Sequence, residues 1–122
     1  MQTPTFKSRQ DYELAEVLMQ PILIRLLDNI RKESERQNCE VIYEDITFPF
    51  PGYNVCIKKG EVVEKRNLWE LCFHICFENY NPENNVPLVT DRNLFDSEGE
   101  LDWHLLDEKA KNLVAKIFSQ LG

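Results

Sequence analysis

The stretch Trp69-Glu70-Leu71-Cys72-Phe73-His74-Ile75-Cys76-Phe77 decides the fold, because it satisfies two periods at once. As a strand, it turns Trp69, Leu71, Phe73, Ile75 and Phe77 to one side. Glu70, Cys72, His74, Cys76 and Glu78 then face the other. As a helix, it gathers Trp69, Cys72, Phe73, Cys76, Phe77 and Tyr80 into a broad apolar stripe. Nine residues of unbroken alternation, rich in aromatics, favour the strand. The helix stands as the competing reading.

Upstream, the pattern is that of strands. Glu40 to Phe48 is dense in β-branched and aromatic residues, and Pro49, Pro51 and Gly52 break it. Tyr53 to Lys58 alternates strictly, with Tyr53, Val55 and Ile57 on one face. Lys59-Gly60-Glu61 is a turn signal, after which Val62-Val63 starts a return strand. Further upstream, Tyr12, Ala15, Leu18, Met19, Ile22, Leu23, Leu26, Leu27 and Ile30 recur in steps of three and four, which marks one helical face. Ser8 to Asp11 resembles a capping box with Asp in place of Glu. Pro21 lies inside this helix and is expected to kink or restart it. Arg31 to Gln37 is polar all round, as suits a solvated helix end.

Downstream, Asn81 to Asn85 reads as a loop and Val86 to Val89 as a short edge piece. Asp91 to Asp102 reads as an acidic loop turning at Ser97-Glu98-Gly99. A last helix opens near Asp102 as N-cap and carries Leu106, Ala110, Leu113, Val114, Ile117, Phe118 and Leu121 on its apolar face. The expected architecture is α+β. A long, Pro-kinked N-terminal helix, a three-stranded antiparallel sheet and a C-terminal helix follow in order, with both helices on one face of the sheet. Residues 1–7 are expected to form a flexible arm, and 8–122 a single domain.

Charge narrows the function. Fourteen Lys and Arg against 21 Asp and Glu give a net charge of −7, which argues against phosphate-directed nucleic-acid binding and against a polybasic membrane surface. Helix–three strands–helix is also the element order of the double-stranded RNA-binding module. That module needs basic residues where this chain has Asp102, Asp107 and Glu108. No signal peptide and no spanning segment is visible, so the protein is expected in the cytoplasm with Cys39, Cys56, Cys72 and Cys76 reduced.

The chemistry-bearing residues form no familiar set. On a strand Cys72, His74 and Cys76 share a face, with Cys56 from a neighbouring strand as a further zinc ligand. Steps of about 7 Å put the outer pair about 13 Å apart, so one ion cannot take all three without a bulge. Reduced cysteines serving as small apolar side chains are the simpler reading. Asp96, Glu98, Glu100 and Asp102 alternate as in a calcium loop, but Gly99 and the absent preceding helix depart from that pattern. His74 and His104 are the histidines open to general-base chemistry, and neither has a nucleophile beside it in sequence. Glycines at 52, 60, 99 and 122 build no phosphate loop. We therefore expect no catalytic residue and no cofactor.

Aromatics concentrate at Tyr43, Phe48, Phe50, Tyr53, Trp69 and Tyr80. Exposed rings beside a polar rim are typical of interface centres. Phe48, Phe50, Tyr53, Trp69 and Tyr80 are thus the expected interaction residues. The expected partner is another protein or a second copy, with a metal or redox protein and a small hydrolase using His74 or His104 as alternatives.

Leu94-Phe95-Asp96, Gly99-Glu100-Leu101-Asp102-Trp103 and Leu106-Asp107-Glu108-Lys109-Ala110, with Gln20-Pro21-Ile22-Leu23-Ile24-Arg25 and Asp28-Asn29, resemble a small uncharacterised protein family of cyanobacteria. The resemblance covers about half the chain and implies a small soluble cytoplasmic protein. It brings no activity with it.

Overall fold

A computed structural model describes residues 5–47, 51–84 and 86–121. Helix α1 spans Arg9–Gln37. Ser8 caps it by accepting from the Asp11 amide at 3.1 Å. The helix carries Pro21 without a restart. Proline removes the donor that would meet the Val17 carbonyl, and Val17 lies on the exposed side of the helix, where that carbonyl can be solvated. At the other end Asn38 adopts φ 56°, and the Cys39 amide reaches back to the Ser34 carbonyl at 2.8 Å. Such a left-handed cap satisfies the last carbonyls, and asparagine tolerates it.

Strands β1 (Glu40–Ile46), β2 (Gly52–Lys59) and β3 (Val62–Asn67) form an antiparallel sheet in that order. Gly60 turns the second hairpin at φ 63°, a conformation that suits glycine. Val41 pairs with Ile57, Tyr43 with Val55 and Asp45 with Tyr53, so these six share the helix-covered face. Val55 and Ile57 are buried there, whereas Ile42, Cys56 and Lys65 fall on the opposite, uncovered face.

The segment read as a strand is instead helix α2, Leu68–Cys76. The Asn67 side chain accepts from the Glu70 amide at 3.2 Å and starts the helix straight out of β3. The third strand is therefore Val62–Asn67. Leu68, Leu71, Cys72, Ile75 and Cys76 are buried. The alternation misleads because Cys72 and Cys76 are core residues, not polar ones. Once they are counted as apolar, Glu70, His74 and Glu78 recur every four residues, which is a helical period.

Helix α3, Trp103–Ser119, starts at Asp102, whose carboxylate accepts from the Leu105 amide at 3.0 Å. Helix α3 packs chiefly on α1, while α2 lies between α1 and the strands β2 and β3. The core runs continuously through Leu18, Ile22, Leu26 and Ile30 of α1, Val55 and Ile57 of β2, Cys72 and Cys76 of α2, and Leu106, Val114 and Phe118 of α3. Each large side chain so buried contributes roughly 1.5–3 kcal/mol.

Residues 1–4 lie outside the described residues, but Thr5 to Lys7 do not form a loose arm. Phe6 bridges Leu88, the Lys7 amide donates to the Leu88 carbonyl at 2.9 Å and Leu88 donates back to Thr5 at 2.8 Å. The Phe6 ring stands edge-on to Tyr12 at 5.2 Å. Asp11 locks the same region. Its Oδ1 accepts from the Thr90 amide and from Arg92, both at 3.0 Å, and its Oδ2 accepts from the Ser8 hydroxyl at 2.6 Å. These bonds hold the carboxyl below its ordinary pKa, the Ser8 bond most strongly, although burial opposes them.

Candidate functional site

An apolar cleft of about 660 Å³ opens between α1 and the β1–β2 end of the sheet. Leu23 and Leu27 of α1 form one wall, and Tyr43, Asp45 and Ile46 of β1 with Gly52 and Tyr53 of β2 form another. Leu68 and Trp69, at the start of α2, close the base. Tyr53 and Tyr43 remain 52% and 44% exposed. They give the cleft an accessible aromatic rim, and partial burial raises the Tyr43 pKa.

Trp69 is held by its own geometry. Its Nε1–H donates to the Pro51 carbonyl at 3.3 Å. The ring also approaches the Gly52 backbone so closely that a Cβ there would stand 2.7 Å from Nε1. Glycine is therefore a packing requirement at position 52 as well as a strand start. Asp45 is the acidic group of the lining, and it forms no ion pair with a described residue.

Two of the five expected interaction residues, Tyr53 and Trp69, thus meet in one cleft. Phe48 and Phe50 lie outside the described residues. Tyr80 does not line the cleft. Its ring is edge-on to Phe73 at 5.4 Å and to His74 at 4.8 Å, beyond the C-terminal end of α2. Leu23 and Leu27 were legible only as helix-face residues. Their signal is the width of the α1 stripe, which exceeds what its neighbours cover.

The metal-ligand candidates do not come together as a strand would have placed them. One helical turn puts Cys72 and Cys76 on the buried face of α2, while His74 stays on the exposed face. Cys56 sits on the uncovered face of the sheet. Among the described residues no three His, Cys, Asp or Glu side chains could hold an ion together. Burial pushes the Cys72 and Cys76 thiols up to about 12, which keeps them protonated and poor ligands or nucleophiles. All four cysteines are free.

The histidines are likewise unsupported as bases. His74 borders a groove of about 260 Å³ with Arg66, Glu70 and Lys116, and no serine or cysteine lines it among the described residues. Partial desolvation lowers the His74 pKa, with Glu70 opposing that shift and Lys116 adding to it. His104 is almost fully exposed on α3, with Glu108 at 4.0 Å. The acidic run at 96–102 closes on itself. Asp96 Oδ1 accepts from the Glu98 and Glu100 amides at 2.9 and 3.0 Å, and Gly99 takes φ 81°. Asp96 is thereby committed to the turn, and Asp102 to its helix cap.

Among the described residues no helix is long and apolar enough to cross a membrane. The chain matches no protein-family model, no curated protein and no solved structure.

Proposed function

We propose that this protein is a small, acidic, non-catalytic module that binds another protein in the cytoplasm through the Tyr43–Tyr53–Trp69 cleft. The observation that supports this reading is the convergence of three aromatic rings and three leucines on one open, apolar recess. Large rings that are packed on one side and accessible on the other are the usual anchors of protein interfaces. Asp45 at the lining gives the partner a charge to match. The chain's net charge of −7 makes a basic partner a better match than a second copy.

The cleft volume also falls within the range of small-molecule sites, which favours a compact apolar ligand as the second reading. Capture from source lysate separates the two, with the wild type and Tyr53→Ser compared side by side. A stoichiometric protein retained by the wild type and lost by the variant supports the interaction. A protein captured equally by both argues against the cleft. Recovery of the wild type with a bound small molecule and no protein favours the second reading.

A further inference from the structure

Strand β1 pairs with β2 and has no second neighbour among the described residues, which leave that edge of the sheet open. The strand is seven residues long and exposed along most of its length, with Ile42 54% accessible. An open edge of this kind presents unpaired amides and carbonyls that another strand can complete. It also forms a wall of the apolar cleft through Tyr43, Asp45 and Ile46. Building on the proposed protein-binding role, we propose that a partner segment adds to β1 as a further strand. That segment carries apolar side chains toward the cleft and basic side chains opposite Glu40 and Asp45.

Charge selects this occupant. Strand β1 holds Glu40, Glu44 and Asp45 and no Lys or Arg. Glu44 shares Lys65 at 3.1 Å across the sheet, whereas Glu40 and Asp45 have no ion pair with a described residue. A second copy pairing antiparallel on this edge meets its own acids. Centred on Ile42, it sets Glu40 opposite Glu44. Centred on Glu44 or Asp45, it sets a carboxylate opposite itself. Centred on Tyr43, it sets Asp45 opposite Val41 and Glu44 opposite Ile42. Like charges directly opposite are destabilising, and acids opposite aliphatics gain nothing. A basic strand meets none of these obstacles. Its inward side chains opposite Val41 and Tyr43 would extend the covered face toward Leu23 and Leu27. A cation opposite Asp45 would neutralise the acid of the lining.

The test titrates the whole protein by amide NMR with the peptide acetyl-TKTLVVK-amide and its acidic counterpart acetyl-TETLVVE-amide. Two further versions of the basic peptide are N-methylated at alternate backbone nitrogens, in opposite phases. Strand addition predicts slowed hydrogen exchange at β1 amides with the basic peptide. It predicts affinity about tenfold weaker for the acidic peptide and for one methylated phase, because only alternate amides of an added strand face β1. The other phase binds unchanged. Shifts confined to Tyr53 and Trp69, with both methylated versions binding alike, overturn edge addition and leave the cleft reading standing. Absence of binding by the basic peptide, or equal binding of the two charges, overturns the proposed occupant, while the Tyr53→Ser comparison still judges the cleft. A concentration-dependent dimer that protects β1 without peptide overturns it in favour of a second copy.

Discussion

The Trp69 indole lies against the backbone of Gly52, at a separation that leaves no room for a Cβ. This contact couples the first residue of β2 to the first turn of α2, and it sets the floor of the cleft. Gly52→Ala must displace the ring or the strand, and overpacking of this kind costs typically about 1–3 kcal/mol. In a Trp103→Phe background, which leaves Trp69 as the sole indole, we expect lower stability to urea and a shifted emission maximum for Gly52→Ala. An unchanged spectrum with unchanged stability would show that the ring is free to move.

Asp11 ties the start of α1 to the 90–92 segment through Ser8, Thr90 and Arg92. Its pKa is lowered in the folded protein. The stability it contributes is therefore fully present above the unfolded carboxyl pKa of about 3.9, and is lost as pH falls through the lower folded value. Asp11→Ala leaves the buried Thr90 amide without its acceptor, at a cost of about 1–3 kcal/mol at neutral pH. We expect the gap between wild type and variant in urea denaturation to narrow below about pH 4, where protonation removes the wild-type advantage. A gap that is constant from pH 7 to pH 2 would assign the loss to packing instead.

Much of this fold was legible because single elements announce themselves. The α1 and α3 stripes, the Ser8 and Asp102 caps and the Gly60 turn each rest on local chemistry and stand where the sequence puts them. The α2 segment did not announce itself, because cysteine is ambiguous in polarity, and treating Cys72 and Cys76 as polar created a false alternation. Thr5–Lys7 looked unattached because its anchor, Leu88, is distant in sequence. The cleft was half legible. Tyr53 and Trp69 stood out as aromatics, but their meeting with Leu23 and Leu27 depends on how α1 lies over the sheet, which no local pattern encodes.

The same burial makes a prediction about thiol chemistry. Cys39 and Cys56 are partly accessible, while Cys72 and Cys76 are buried with thiols pushed up to about 12. A thiolate-selective disulfide reagent at pH 8 is expected to modify Cys39 and Cys56 in the native protein and the other pair only after unfolding. Mass spectrometry of the native adduct reads this directly. Rapid native modification of Cys72 would mean that α2 opens far more often than its packing implies.

Leu26 is wholly buried in α1 and belongs to the continuous core. Leu26→Ala removes side-chain volume from the centre of the core and should cost about 2–5 kcal/mol. Calorimetry should show a lower midpoint. Tyr53→Ser, at a half-exposed position, should change stability by less than about 0.5–1 kcal/mol. If the two variants lose stability equally, Tyr53 is a core residue in effect, and its loss of binding could not be assigned to the cleft.

A neutral solvatochromic dye such as Nile red tests the cleft without a partner. The recess is lined by Leu23, Leu27, Tyr43, Tyr53, Leu68 and Trp69, and its one acid does not repel an uncharged probe. Apolar area withdrawn from water on dye binding stabilises the complex by roughly 25 cal/mol per Å². Blue-shifted emission on titration with wild type is therefore expected. Leu23→Asp places a second carboxylate in the wall and should abolish that emission at equal fold, as judged by circular dichroism. Asp45→Asn removes the existing charge and should leave the dye unaffected while weakening the basic peptide. This split separates the apolar contribution of the cleft from its electrostatic one. Equal loss of both probes in Asp45→Asn would show that Asp45 shapes the recess rather than supplying its charge.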